Sequence, residues 1–414
     1  MNLNKKSIKD IELSGKKVVM RVDFNVPLQD GVITDDTRIR AALPTINYIL
    51  EQGASLALLS HLGRPKGEVK AEFSLKPVAE YLGKLLDKPV GFVDDCVGDA
   101  AQAMVDAQQS GEIMVCENTR FHKEEDMKCK GDAGKIAAQR DFAAELAKLG
   151  TVYVNDAFGT AHRAHASTAI ITEFVDKANC VAGLLLDKEI KFLGQAVSNP
   201  ERPFVAIIGG AKVSGKLEVM VSLMEKVDTI LIGGGMAYTF YKALGYQIGG
   251  SLCEDELVDT AKEIMAKAKT KGVKFMLPTD NIEADGFANS ANTKVVGVNI
   301  DEGFLALDIG PETAKTYATE LASAKTIVWN GPMGCFDMKC EAGEACKFAA
   351  GTMTVCQAVA DSDSVSVIGG GDSVAAVNQS GLADQMTHIS TGGGASLEFL
   401  EGKDLPGVVA LTDA

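Results

Sequence analysis

Apolar runs of strand length alternate with stretches of helical period along almost the whole chain. Residues 36–52 place Ile39, Leu43, Ile46 and Leu50 on one helical face, Gly53 ends the helix, and SLALLS (55–60) comes next as a buried strand. The same order recurs over 139–154, where Phe142, Leu146 and Leu149 line a face, Gly150 stops it, and TVYV comes after. It appears again over 254–276, with Leu257, Ala261, Ile264 and Ala268 ahead of Lys271-Gly272 and VKFML. Helical faces alternating with near-continuous apolar strands predict parallel sheets covered on both sides.

The predicted strands fall into two equal sets. KVVMRV, SLALLS, PVGFV, EIMVC and TVYV lie in the first half, and PFVAII, TILI, VKFML, TIVW and SVSVI in the second. A chain of 414 residues is also too long for one ordinary core. The expected fold is therefore α/β: two doubly wound, Rossmann-like parallel-sheet domains joined by a hinge helix, with a cleft between them. Residues 1–180 are assigned to the first domain and 199–402 to the second. Residues 181–198 (VAGLLLDKEIKFLGQAVS), ending at Asn199-Pro200, read as the hinge helix, and 403–414 as a separate C-terminal segment.

The loops after the strands are more telling than the strands themselves, because ligands in open parallel sheets bind beyond the carboxyl ends of the strands. The first-half strands lead into Asp23-Phe24-Asn25, His61-Leu62-Gly63-Arg64, Glu117-Asn118-Thr119-Arg120, and Asn155-Asp156 with His162, Arg163 and His165 close behind. The second-half strands lead into Gly209-Gly210-Ala211-Lys212, Gly233-Gly234-Gly235, Asn330-Gly331-Pro332 and Gly369-Gly370-Gly371-Asp372. Turn residues are ordinary in such loops. The division is not: Arg, His, Asp and Asn gather in one half, and glycine turns with Lys and Asp in the other.

Charge sharpens this division. The net charge of −15 argues against general nucleic-acid binding, which needs a cationic surface. Yet no arginine lies beyond Arg202. Since arginine recognises carboxylate and phosphate bidentately, the first half suits a small anion; chance placement of surface arginines is the alternative. Glycine turns at strand-to-helix junctions let backbone N–H groups approach phosphate oxygens, so the second half suits a nucleotide; tight packing is the alternative for any single turn.

The segment GAKVSGKL (210–217) nearly matches a P-loop but has Leu217 where a magnesium-binding hydroxyl is required, which disfavours a P-loop NTPase. Lys212 and Lys216 still share a helical face and are candidates for phosphate contact. Asp372 is the candidate Mg²⁺ ligand, with a helix N-cap role as its alternative. MNLNKKSIKD has no signal-peptide core, and no apolar stretch is long enough to span a bilayer. Nine cysteines without a CxxC pair suit free thiols in the cytoplasm.

Taken in order, RVDFNVP (21–27), HLGRP (61–65), ENTRF (117–121), NDAFGTAHRAHAS (155–167), GGAKVSGK (209–216), IGGGMAYTF (232–240), WNGPMG (329–334), GGGDS (369–373) and STGGGAS (390–396) resemble the phosphoglycerate kinase family over essentially the whole chain. The resemblance implies reversible phosphoryl transfer between 1,3-bisphosphoglycerate and ADP, giving 3-phosphoglycerate and ATP, by a monomeric enzyme that closes by hinge bending. It implies that Asp23, Asn25, Arg38, His61, Leu62, Gly63, Arg64, Arg120 and Arg163 hold the glycerate ligand. Arg38, Lys212, Gly371 and Gly394 would meet the transferring group.

For the nucleotide it implies Lys212, Lys216, Gly234, Gly235, Leu307, Asn330, Gly369, Gly370, Gly371, Asp372 and Ser373, with Asp372 acting through Mg²⁺. It also implies that residues after about 403 pack back on the first domain. One departure stands out. Where the family has a ribose-contacting glutamate, FDMKCEAGEACKF offers the shorter Asp337 and extra residues bearing Cys335, Cys340 and Cys346. Their irregular spacing favours an ordinary loop over a zinc site.

A carboxylate acceptor has no proton to remove at neutral pH, so no general base is expected. His61, His162 and His165 accordingly read as anion-binding or loop-bonding residues. Two rivals remain. A nicotinamide-dependent oxidoreductase lacks its G-x-G-x-x-G with a following acidic residue, and a silent anion-binding scaffold is opposed by intact Arg38, Lys212 and Asp372.

Overall fold

The computed structural model describes residues 2–340 and 344–414. The chain divides into two compact units, one comprising 1–191 with 404–414, the other 192–403. Each is built around a six-stranded, all-parallel sheet.

In the first unit the strands are β1 (Lys17–Arg21), β2 (Ser55–Leu59), β3 (Gly91–Val93), β4 (Ile113–Cys116), β5 (Val152–Asn155) and β6 (Cys180–Ala182). Their order across the sheet is β3-β4-β2-β1-β5-β6. The connection from β1 runs to one side and that from β5 to the other, so the crevice opens at the carboxyl ends of these central strands. Helix Thr37–Glu51 buries Ile39, Ile46 and Leu50 of the expected face against the sheet. Gln52 and Gly53 end it, Gly53 at φ 78°, where L-residues are strained.

The hinge segment differs from expectation at its start. Its helix spans Leu184–Ser198, whereas Cys180–Ala182 forms β6, paired in parallel with β5. VAGLLL is one continuous apolar run, and periodicity alone does not separate a fully buried strand from a buried helical turn. Gly183 marks the break: a Cβ there would overlap the carboxylate of Asp156. That carboxylate instead accepts from the N–H groups of Leu185 and Leu186, at 2.9 and 3.1 Å, satisfying two donors at the helix start.

The C-terminal residues complete the first unit. Thr412 N–H donates to the Cys180 carbonyl, Lys6 N–H to the Thr412 carbonyl, and Asn155 Nδ2 to the Gly407 carbonyl. Leu405, Val408 and Leu411 are buried.

In the second unit β7 (Phe204–Ile208), β8 (Thr229–Ile232), β9 (Lys274–Met276), β13 (Thr326–Asn330), β14 (Val365–Gly369) and β15 (His388–Ile389) lie in the order β9-β8-β7-β13-β14-β15. The switch of direction falls between β7 and β13. An unexpected three-stranded antiparallel sheet is inserted between β9 and β13, from β10 (Asn281–Ala284), β11 (Thr293–Val296) and β12 (Leu305–Ile309). The core around Trp329, Ile207, Ile327 and Ile368 lies beneath the glycine loops.

Candidate functional site

In the first unit, the loops after β1, β2, β4 and β5 gather a basic cluster. Arg38 Nη1 donates to the Asn25 carbonyl at 2.9 Å and lies 3.3 Å from Asp23 Oδ1. Asn25 Oδ1 accepts from Gly63 N–H at 2.8 Å, tying the loop after β1 to the loop after β2. Arg120 Nη1 donates to the Gly63 carbonyl at 3.0 Å, adding the loop after β4. His61 and Leu62 are buried beneath them, and Arg64 and Arg163 are exposed.

The core of this cluster is a residue that the motifs did not assign. Arg21, at the end of β1, is fully buried. Its Nε donates to Ser167 Oγ at 2.7 Å, its Nη1 to the Val22 carbonyl, and its Nη2 to His61 Nδ1 at 3.1 Å. Its counter-charge is Glu125, also fully buried, with Oε1 3.9 Å from Nη2. Glu125 accepts in turn from Ser167 N–H and Oγ. Arg21 was visible as a charged residue directly after the apolar run Val18-Val19-Met20. Nothing in HKEEDMK distinguishes Glu125 from its neighbours.

The electrostatics report a surplus of positive charge. Burial, then the guanidinium groups of Arg21 and Arg120, His165 and Arg38, hold His61 well below its usual pKa. Burial followed by Arg120 and Arg21 brings His165 down to about 3, and burial followed by Arg163 brings His162 down to about 4. Three histidines kept neutral first by burial and then by neighbouring cations are poor general bases, and those guanidinium groups suit the basin to an anion. Because His61 Nδ1 accepts from Arg21, the neutral ring carries its proton on Nε2 and is a donor there.

In the second unit, the glycine turns divide into two kinds. Gly209, Gly233, Gly234 and Gly331 are packing glycines: a Cβ on Gly234 would lie 2.6 Å from the Gly210 carbonyl oxygen, and one on Gly331 would overlap the Gly209 carbonyl. The N–H groups of Gly209, Gly210 and Gly234 go to the carbonyls of Asn330, Pro332 and Met333. These loops therefore lock to one another. Gly371, by contrast, faces open space, and so does Gly210.

Gly371 opens the helix Gly371–Ser380, with Gly370 as N-cap at φ 88°. Helix Gly393–Leu400 begins beside it, a Cβ on Gly393 falling 3.4 Å from Gly370 Cα. Two positive helix ends thus meet at one place. Asn330 closes this cradle from below: a Cβ on Gly370 would lie 3.1 Å from Asn330 Nδ2. Lys216 Nζ donates to Asn330 Oδ1, while the buried Nδ2 has no partner among the described residues. Burial outweighs the nearby Asp372 and Glu401 and brings the Lys216 ammonium down to about 8. Ser373 Oγ accepts from Gly331 N–H at 2.5 Å, which ties this helix start to the loop after β13.

Asp372 is not the N-cap; it is exposed in the first helical turn and makes no capping bond. An exposed carboxylate beside helix-start amides is a donor set that suits a Mg²⁺ ion taking its other ligands from an anionic ligand and water. Lys212 is exposed at the same end of the sheet. Gly369 lies under Ser396, 3.2 Å from where its Cβ would be.

Leu307, 6% exposed, packs with Phe348 and joins Gly234 through one segment: Gly234 N–H donates to the Met333 carbonyl and Cys335 N–H to the Leu307 carbonyl. Gly235 lies beside Ala211 and Leu252. Buried Asp308, pushed up to about 8 by burial against bonds from Gly351 and Ile309 N–H, braces the same segment.

Asp337 is exposed and lines a cavity of about 900 Å³ with Phe287, Asn289, Lys339 and Lys347. Residues 341–343 of the cysteine-bearing stretch lie outside the described residues. Among the described residues, Cys335, Cys340 and Cys346 form no metal-binding group, and the Cys346 thiol donates to the Cys335 carbonyl.

The sequence profile of the family described as phosphoglycerate kinase matches residues 8–403. The phosphoglycerate kinase of Chloroherpeton thalassium is 54% identical over the full length of both chains. That of Clostridium tetani is 55% identical over 99% of this chain and 98% of its own. Among solved structures, phosphoglycerate kinase from Coxiella burnetii matches with a TM-score of 0.85 at 43% identity, and that from Pyrococcus horikoshii with 0.82 at 32%; each match covers 98% of both chains.

Proposed function

This chain belongs to the phosphoglycerate kinase family, and on that footing we propose that it moves a phosphoryl group reversibly between 1,3-bisphosphoglycerate and ADP, giving 3-phosphoglycerate and ATP. The observation that carries the reading is the partnerless, buried amide of Asn330 beside the Lys216 ammonium, under two helix starts. That arrangement suits a polyanion. Helix-start amides and ammonium groups are the donors a nucleotide phosphate chain accepts.

The first unit's part is to grip the acid. Arg38, Arg120 and Arg163, with Arg64 at the rim and Asp23, Asn25, His61, Leu62 and Gly63 as their frame, bind 3-phosphoglycerate through its phosphate and carboxylate. Since the acceptor oxygen is already ionised, these residues orient it without taking a proton. Arg38 and Lys212 then neutralise charge on the phosphoryl group in flight, and the amides at Gly371 and Gly394 do the same from the nucleotide side. Asp372 would hold Mg²⁺, which supplies further charge neutralisation at the phosphates when bound. Gly234, Gly235 and Leu307 form the base pocket.

In-line transfer requires the two substrates in contact with water excluded, so we infer closure by hinge bending with 184–198 contributing. A cytoplasmic monomer is the form we propose. The nine cysteines, all free, agree with a reducing compartment. A coupled assay supplying 3-phosphoglycerate and MgATP tests the activity directly. Absence of turnover with folded protein would overturn it.

A further inference from the structure

Bordering the basic cluster at Arg120, the carboxyl ends of β3 and β4 bring together side chains of three different ligand chemistries. Asp95 and Cys96 come just after β3, and His122 just after the turn Thr119–Phe121 beyond β4. One ligand atom from each lies within 4.8 Å of the others, and no other such group exists among the described residues. Asp95 Oδ1 and His122 Nε2 are 2.7 Å apart.

We propose that Asp95, Cys96 and His122 form a binding site for one divalent transition-metal ion of the zinc type, with water as fourth ligand. A sulfur, an imidazole nitrogen and a carboxylate oxygen are a donor set that such ions favour and that Mg²⁺, which prefers oxygen, does not. The site is therefore chemically distinct from the nucleotide's metal. Cys96 sits fully buried at its floor, whereas Asp95 and His122 keep 48% and 27% of their side-chain surface, leaving a way in.

The imidazole is held before any ion arrives. Its ring stacks on Phe142 with centroids 4.8 Å apart, which restricts rotation of the imidazole, and the backbone N–H of His122 ties the loop to the Thr119 carbonyl at 3.2 Å. When the ion binds, the Cys96 sulfur bonds to the metal and its proton passes to solvent, so thiolate and cation offset each other's charge in the buried floor.

The test is a Co²⁺ titration of the full chain, reduced and stripped of metal. A sulfur-to-cobalt charge-transfer absorption should saturate at one ion per chain, with about one proton released per ion. Cys96→Ser should abolish the band, and Cys340→Ser/Cys346→Ser should leave it intact. His122→Gln, at a position that reaches solvent, should weaken affinity by at least about tenfold and serves as the deciding variant if Cys96→Ser does not fold. Absence of the band in the unaltered chain overturns the site. So does its persistence in folded Cys96→Ser, its loss with Cys340 and Cys346, or an unchanged affinity in His122→Gln.

Discussion

Lys216 donates to Oδ1 of Asn330, whose own amide nitrogen is buried and points at no acceptor. The pair thus offers a charge and a donor to one anionic ligand. The depressed pKa of Lys216, about 8, makes the consequence measurable. An incoming polyanion stabilises the ammonium, so nucleotide binding should take up protons near pH 8, and affinity should fall as pH rises through that value. Calorimetry in two buffers of different ionisation enthalpy reads the uptake. Lys216→Ala should remove both the uptake and the pH dependence; proton uptake that survives the substitution assigns the titration elsewhere.

The histidines of the basin give a second pH prediction. His165 and His162 titrate near 3 and 4 in the folded chain and near 6.5 unfolded, so the unfolded state binds more protons between those values. Their contribution to stability is complete above about pH 6.5 and should be lost progressively as pH falls towards 3 to 4. Proton NMR should find neither ring titrating between pH 5 and 8. Addition of 3-phosphoglycerate should raise both values, and no shift would place the acid elsewhere.

Arg38→Ala should lower turnover by roughly 10²–10³-fold, in the range seen when a donor to transition-state charge is removed. ADP affinity should stay nearly unchanged, because the contacts of Arg38 are to Asp23 and Asn25 in the first unit. Steady-state kinetics beside equilibrium binding distinguishes this from a general loss. An equal fall in both means that Arg38 does not act on the transfer step.

The two kinds of glycine should respond in opposite ways. Gly331→Ala forces a side chain onto the Gly209 carbonyl at φ 101° and should destabilise the second unit by at least about 2 kcal/mol, several degrees in melting temperature. Gly371→Ala meets open space at ordinary φ and should melt normally while weakening ATP binding, since its methyl group occupies phosphate space. Calorimetric melting and nucleotide titration of both variants check the contrast.

How far these features could be read from the chain depends on whether one local rule governs them. Strands such as β2 and β7 were legible because burial on both faces leaves few polar positions, and the helix faces at Ile39, Phe142 and Ile264 because one buried stripe repeats at helical period, whereas β3 and β9 are three residues long and only partly buried. β11, with Thr293, Lys294 and Val295 exposed, carries no such mark, and its sheet emerges only from long-range pairing. β6 was absorbed into the helix after it because both are apolar. The loop motifs identified the glycine and arginine clusters by resemblance. The buried partnership of Arg21 with Glu125 joins residues more than a hundred positions apart and needed coordinates.

The first unit is interrupted in sequence: residues 404–414 belong with 1–191, and all of 192–403 comes between. On a ribosome, which delivers the chain from its amino end, the strand-edge partners of Cys180 and Asn155 emerge only after the entire intervening unit. The leading half must therefore wait, unfinished at that edge, while its neighbour is synthesised. Its last closing step can come only after residues 192–403 have been made.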